Sequence, residues 1–529
     1  MTRALSVRLS DLKRAYDRVR EDRKDKSFVE HPFLFAWAEI DRKEWFEQLQ
    51  ARLDSDFNPH PSRLCWVPKA NSLLRPAHVL HLKDEVVYNL IVDRLYEPIW
   101  RLIGNYQGQP DAAYVMQEPG NGEWFGRQFH AWEEFREESL RRLHKGATFI
   151  VASDITGFYE NIDIGRLLSE LRQIADGMRP EIELLGKCLR KWSSRGDKGI
   201  PQGYSASDIL AKVYMHSVDV GIETDAFSYL RYVDDIRIFC HSELEAKRAI
   251  QSLSRHVHGK GLNLQSAKTK ILTRKHASKE FNGVKRVVEE IRDELIAEIL
   301  DGISVRDPYD NSEDAQLTIE TRDDLPPEVL ERAFTKYFAG TSPIPFEKTL
   351  FHYLLNRLAQ ASSRIAVSYC MKALTDRPEE TPHILKYLAR VALQKREVKA
   401  LGAFLVSPAA MYDYQVYEIL KWLFDEKKGS SEAIAFCRQA VQDHNRDIWL
   451  RSYALAYLGK FGRIEDLQLI ESLYSRCSSD MERADCVMAM MKMEPGKRNA
   501  FYGAAQRDGA LTARAIALAK KASGIHVTP

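Results

Sequence analysis

Hydrophobic and polar positions divide the chain into distinct textures. From Met1 to about Gly146, charged amphipathic stretches at helical spacing alternate with short apolar runs, and Glu85 to Ile103 is the most periodic. From Ala147 to about Gly283, short β-rich runs take over: Thr148-Phe-Ile-Val-Ala-Ser153, Tyr229-Leu-Arg-Tyr-Val233 and Ile236-Arg-Ile-Phe-Cys240. They alternate with helical stretches, which predicts a sheet with packed helices. Val305 to Glu328 is polar, carries Pro308, Pro326 and Pro327, and has the composition of a linker.

Beyond the linker the pattern is helical, and it repeats. Ile384-Leu-Lys-Tyr-Leu388 returns as Ile419-Leu-Lys-Trp-Leu423, with looser echoes at Tyr353 to Leu358, Tyr453 to Leu458 and Cys486 to Met491. The last residues of these runs (358, 388, 423, 458 and 491) fall 30, 35, 35 and 33 positions apart. One helical hairpin has that length, so the spacing predicts an α-solenoid, with an irregular helical bundle as the alternative. The expected organisation is therefore 1–146, 147–303, a linker 304–328 and a repeat domain 329–529.

Composition narrows the class. The chain has 529 residues, 44% hydrophobic and 29% charged, too long for one core and globular in character. It lacks the run of roughly 20 apolar residues a bilayer span requires, so no membrane association is expected. Met1 to Glu30 has no apolar h-region, which predicts no secretory signal. Seven cysteines without a C-x-x-C pair suggest reduced thiols in a cytoplasm. Lys plus Arg number 77 against 75 Asp plus Glu, a net charge of +2. Near-neutrality weakens any function that depends on an extensive electrostatic grip on duplex nucleic acid.

The chemistry concentrates in the middle region. Phe149 to Ser153 is an apolar run ending in Asp154. Eighty positions later Asp234-Asp235 stands between two further strand-like runs. An Asp-Asp pair is an uncommon choice for a tight hairpin, where Asn-Gly or Asp-Gly is usual. Three converging carboxylates repel one another unless a cation neutralises them, and hard oxygen donors are what Mg²⁺ prefers. A pair of such ions supports in-line displacement of pyrophosphate by a hydroxyl. Between the acids lies Gly199-Ile-Pro-Gln202-Gly203-Tyr-Ser-Ala-Ser207, and after them Leu262-Asn-Leu264-Gln-Ser-Ala-Lys268-Thr-Lys270. Seven basic residues against the single Glu280 follow from Lys268 to Arg286.

In this order, strand-Asp154, Pro-Gln202-Gly203 with Ser207, Tyr232-Val-Asp234-Asp235 and Leu-x-Leu-x-x-x-Lys268 resemble reverse transcriptase motifs A, B, C and D. Phe281-Asn-Gly283 is similar to the short signature that follows them, and Pro68-Lys69, Arg75-Pro76 and Lys83 to Tyr88 resemble fingers motifs. The resemblance implies an α+β fingers and palm, with fingers in 1–146 and palm in 147–303. It implies that Asp154, Asp234 and Asp235, with the carbonyl of Ile155, hold two Mg²⁺ ions, Mn²⁺ being a substitute. Asp234 is expected to matter more than Asp235. Tyr159 is implied as an aromatic gate favouring deoxynucleotides, against a plain core role. Gln202, Gly203 and Ser207 would line the nucleotide pocket. Lys69 and Arg75 would hold the triphosphate, unless they are loop charges, and Lys268 would protonate pyrophosphate, with Lys270 as rival.

The tail separates subfamilies. One acidic helix (Val287 to Leu300) and a linker follow the palm, with no thumb, endonuclease or RNase H motif. Asp208 stands where many relatives have Pro. The combination is similar to bacterial abortive-infection reverse transcriptases, polymerase first and HEAT-like helical repeats second. That resemblance implies phage defence in the bacterial cytoplasm and homo-oligomeric assembly. It also implies template-independent polymerisation of deoxynucleoside triphosphates from a protein tyrosine. The single-stranded DNA product would stay covalently attached. Which of the 22 tyrosines primes is not indicated. The alternatives are a templated enzyme of retron or group II intron kind, and a helical scaffold with a vestigial palm.

Overall fold

A computed structural model describes residues 5–25, 28–104, 110–120, 122–126, 131–281, 326–340 and 346–522. The expected acidic helix 287–300 and most of the linker lie outside these residues. Of the linker, Pro326 to Glu328 is described, and Pro327 opens the helix Pro327–Phe334. A proline fits that first turn because its missing N–H has no intrahelical acceptor there.

Two compact units divide the chain. The first holds Met1–Phe28, Arg42–Cys65 and Ala77–Gly283, and the second holds Val29–Asp41, Trp66–Pro76 and Val284–Pro529. Chain order gives α1 (Leu9–Asp25), α2 (Leu34–Ile40), α3 (Arg42–Asp54), a hairpin of β1 (Arg63–Pro68) and β2 (Leu74–Val79), then α4 (Leu82–Ile99) and α5 (Ala131–His144). Next come β3 (Phe149–Asp154), α6 (Phe158–Asn161), α7 (Ile164–Ile174), α8 (Arg179–Trp192) and α9 (Ser205–Thr224). The series ends with β4 (Ser228–Tyr232), β5 (Asp235–Cys240), α10 (Glu243–Gly259), β6 (Lys270–Thr273) and α11 (Arg274–Phe281).

In the first unit β3 to β6 form one sheet in the order β4-β5-β3-β6, and β3 is antiparallel to both its neighbours. The three apolar runs expected as strands are β3, β4 and β5. Side chains alternate between faces, so the register assigns each its surroundings. Ile150, Leu230 and Phe239 share one face and pack with Phe135 and Leu143 of α5 and with Ala277 and Phe281 of α11. Val151, Ile236 and Ile238 alternate with them and are almost wholly buried. Burying each such side chain contributes roughly 1.5–3 kcal/mol, which fixes the register, since a one-residue slip would exchange the faces. Helix α4 is buried on nearly every side, and its start is capped by His81, which accepts from the Lys83 N–H.

Among its described residues the second unit is helical apart from the hairpin tip. Helix Lys348–Gln360 packs on Thr381–Arg390, which packs on Asp413–Asp425, and the series continues through Ile448–Phe461, Asp480–Ala489 and Ala510–Ala522. The sequence echoes fall on the first five of these. Leu354, Leu355, Leu358, Ile384, Leu385, Leu388, Ile419, Leu420, Leu423, Tyr453 and Val487 are all buried. The echo thus marks buried positions on helices that pack one on the next. Residues 29–41 join the same unit. Trp37 on α2 is fully buried, α2 packs on Ala510–Ala522, and the Glu30 N–H donates to the Tyr417 hydroxyl at 2.7 Å. Among the described residues no helix is long and apolar enough to cross a membrane. All seven cysteines are free thiols.

Candidate active site

Register brings the acids together. Asp154 closes β3 directly opposite Asp235 of β5, and Asp235 is in turn opposite Tyr232 of β4. Asp234 occupies the two-residue turn Val233-Asp234 between β4 and β5. Residues 80 and 81 positions apart therefore meet at one end of the sheet, beyond the apolar face sealed by α5 and α11. Burial pushes the Asp234 carboxyl up to about 6, and the charges of Asp154 and Asp235 push the same way. Asp235 is raised by burial and then by Asp154. Partly buried acids raised by burial and by a neighbouring carboxylate are a donor set short of positive charge. Oxygen donors of this kind fit hard divalent cations.

One cation already answers them. The Lys268 ammonium donates to Asp154 Oδ2 at 2.6 Å, and this bond, together with Asp235 and Asp234, raises the lysine's pKa. Backbone geometry explains its arrival. The Gln265 N–H donates to the Asp154 carbonyl (2.7 Å), the Thr156 N–H donates to the Asn263 carbonyl (2.9 Å), and Ile155 bridges Leu264. The Leu262 to Lys268 stretch is thereby laced to the end of β3. Lys270 instead begins β6, its Cα opposite that of Ala152. Ile155 itself is buried beside Asp154.

The turn that presents Asp234 is strained. Val233 has φ +56°, the left-handed region that β-branched residues avoid. Arg231, 2% exposed, holds it: Nη1 donates to the Val233 carbonyl at 2.8 Å. The same guanidinium grips Asp219 through Nε (3.0 Å) and Nη2 (2.7 Å) and lies 3.1 Å from Asp111, which also pairs with Lys212 at 2.6 Å. Arg237, two residues beyond Asp235 on the same face, lies over the rings of Phe135 and Phe281 at 4.0 and 3.8 Å. Burial lowers its pKa to about 10, against the pull of Asp235. Neither arginine carries a motif letter. Their side-chain anchors, from Asp219, 12 positions from Arg231, to Asp111, 120 positions from it, leave no local pattern by which sequence reasoning could have found them.

The Gly199 to Ser207 loop comes alongside. The Ile200 N–H donates to the Tyr159 carbonyl at 3.0 Å, and the Gly199 N–H to the Ile162 carbonyl at 2.8 Å. Gly199 needs its missing side chain: φ is +89°, and a Cβ would meet the Glu160 carbonyl at 3.2 Å. The Tyr159 hydroxyl donates to Asp208 Oδ1 at 2.6 Å, so Asp208 orients the aromatic ring. Burial, then Asp208, drives the Tyr159 pKa well up. Gln202 and Gly203 are partly exposed on the loop, with Gly203 at φ +90°. Ser207 faces inward. It is fully buried, and its hydroxyl bonds to the Tyr88 hydroxyl (2.8 Å) and the Pro201 carbonyl, bracing the loop from behind. The start of α9 is capped by Asp22 of α1, which accepts from the Ser205 N–H and hydroxyl. Lys69 and Arg75 lie in the tip of the β1–β2 hairpin, Trp66–Pro76, which falls in the second unit.

Residues 67–296 match the family model for reverse transcriptase (RNA-dependent DNA polymerase). The chain is 25% identical over 181 residues to the group II intron-encoded protein LtrA of Lactococcus lactis subsp. cremoris, covering 32% of this chain and 27% of that one. It is 24% identical over 184 residues to an uncharacterized 91 kDa protein in a cob intron of Schizosaccharomyces pombe, covering 33% and 20%. The chain thus spans about a quarter of the length of the curated relatives it matches. Among solved structures it is similar to a telomerase from Candida albicans in complex with a telomeric RNA fragment. That likeness has 12% identity and a TM-score of 0.32, covering 77% of this chain and 70% of that one. The segment that builds the aspartate site is a nucleotidyltransferase domain of reverse transcriptase type.

Proposed function

We propose that the chain is a DNA polymerase of abortive-infection type. It adds deoxynucleotides to a tyrosine hydroxyl of the protein itself, without a template, and so defends a bacterium against phage. The meeting of Asp154 with Asp234-Asp235, with Lys268 paired to Asp154, is the observation that carries the polymerase part. Asp154, Asp234, Asp235 and the Ile155 carbonyl would hold two Mg²⁺ ions, which supply charge stabilisation to the attacking hydroxyl and to the leaving pyrophosphate. Lys268, displaced from Asp154 when cations enter, is poised to give its proton to the departing pyrophosphate. Tyr159, fixed by Asp208, would pack against the incoming sugar, and Gln202 and Gly203 would line the nucleotide pocket. Lys69 and Arg75 are assigned the triphosphate.

The template-free, protein-primed part rests on the resemblance and on what accompanies the palm. The family match ends at residue 296, and stacked helices at hairpin spacing follow it. We assign those to HEAT-like repeats that support a homo-oligomer. Incubation with labelled deoxynucleotides and Mg²⁺, with no nucleic acid added, should leave label on denatured protein. Asp234→Asn should abolish that label. Label that appears only with added primer and template would favour the second reading, a template-directed enzyme, to which the LtrA similarity lends its weight.

A further inference from the structure

We infer that the second unit carries a site for a transition-metal ion of the Zn²⁺ class, built by His352, Glu380 and His383. It is separate in chemistry from the oxygen-only aspartate site. His352 lies on helix Lys348–Gln360, Glu380 closes the turn Pro378–Glu380, and His383 opens the neighbouring helix Thr381–Arg390. One donor atom from each converges within 4.8 Å of the others. The two imidazoles stack face to face, with centroids 3.4 Å apart and planes 10° from parallel. Histidine ligates metal through a ring nitrogen of the neutral imidazole, and each of the two rings offers one such nitrogen to the cluster.

The carboxylate adds the second argument. Glu380 is 1% exposed, its Oε2 bonds to His352 Nε2, and its Oε1 is buried without a hydrogen bond. The Lys348 ammonium stands 3.5 Å from Oε1, on a side chain that is 61% exposed. An unmade bond to a buried carboxylate oxygen costs roughly 1–3 kcal/mol or more. A cation held by that oxygen and one nitrogen of each ring would recover it, while Lys348 swings to solvent. Two nitrogens and one carboxylate oxygen, with a fourth position open, match Zn²⁺ and disfavour Mg²⁺, which prefers oxygen. The other histidine–carboxylate cluster, His60, His81 and Asp84, lacks this deficit. There Asp84 Oδ2 already accepts from the His60 N–H (2.7 Å) and from Trp192 Nε1 (3.3 Å), and Oδ1 pairs with His60 Nδ1 (3.1 Å). A bound ion at His352–Glu380–His383 would fasten two helices that pack one on the next.

Full-length protein stripped with chelator, loaded with Zn²⁺ and washed with Mg²⁺ should retain one Zn²⁺ per chain by elemental analysis. Its Co²⁺ form should show the visible absorption of a four-coordinate site. Asp234→Asn should retain the ion, whereas Glu380→Gln and His383→Ala should lose it together with the rise in melting temperature that Zn²⁺ gives the parent. Lys348→Met, at an exposed side chain, should bind Zn²⁺ more tightly because it removes the competing charge. A stripped parent that takes up no Zn²⁺, equal retention in the Glu380 and His383 variants, or unchanged or weaker binding in the Lys348 variant would overturn the assignment.

Discussion

At the scale of single residues, the site depends on a turn that the chain would not adopt unaided. Of the two turn residues, Val233 has positive φ, a place glycine ordinarily takes, and such strain costs about 1–3 kcal/mol. Arg231 offsets it from beneath, anchored by Asp111 and Asp219. Val233→Gly should therefore raise the unfolding free energy by about 1 kcal/mol in denaturant titrations. The same change should slow nucleotide incorporation about tenfold or more, because Asp234 is less well held. Asp234 also ties stability to pH. Its folded-state pKa of about 6 lies above the ordinary 3.8, so its contribution is full below about pH 4 and is lost as pH rises through 6. Metal-free protein compared with Asp234→Asn should show that loss as a change of about 3 kcal/mol in their stability difference between pH 4 and 7. Mg²⁺ should reverse it at pH 7, and a flat difference would contradict the burial of this carboxylate. Asp154, Asp234 and Asp235 were legible in the sequence because a carboxylate ending an apolar run is costly without a purpose. Arg231 was not, since a buried arginine is recognised only by partners that the fold supplies.

At the scale of elements, strand register and loop lacing decide between residues that the sequence leaves equivalent. Lys268 and Lys270 are both basic and both follow Leu-x-Leu. The Gln265 bond to the Asp154 carbonyl draws the loop against β3 and delivers Lys268 to the acids, while Lys270 is committed to pairing in β6. Lys268→Ala should reduce incorporation by about 10²-fold, the scale of a lost general acid. Lys270→Ala should stay within about threefold of the parent, on the view that an exposed strand lysine contributes little. Equal losses would mean that a general basic field, rather than one positioned proton, serves the reaction. The strands themselves were legible from alternation and β-branched content. The inward turn of Ser207 was not, because its hydroxyl is claimed by Tyr88, 119 positions earlier.

At the scale of the whole molecule, chain order and unit membership part company. Composition suggests one continuous block from residue 1 to 146, yet residues 29–41 complete the helical unit. No local signal announces this, because an amphipathic helix such as α2 has the same pattern whichever core it serves. The segment is bound by specific contacts. His31 Nε2 stands 3.0 Å from Asp485 Oδ1, the Ser452 hydroxyl donates to Asp485 Oδ2 at 2.6 Å, and Trp37 is wholly enclosed. Removing a buried tryptophan side chain costs about 3–5 kcal/mol, through lost transfer energy and the cavity left behind. Trp37→Ala should therefore lower the melting transition of the helical unit, followed by calorimetry on the full chain, while leaving that of the polymerase unit in place. A fragment covering residues 326–522 should be less stable alone than with a peptide of residues 29–41 added in excess, by the linkage that stabilises any folded state its ligand prefers. If Trp37→Ala moved only the polymerase transition, or if the peptide had no effect on the fragment, residues 29–41 would belong to the first core rather than the second.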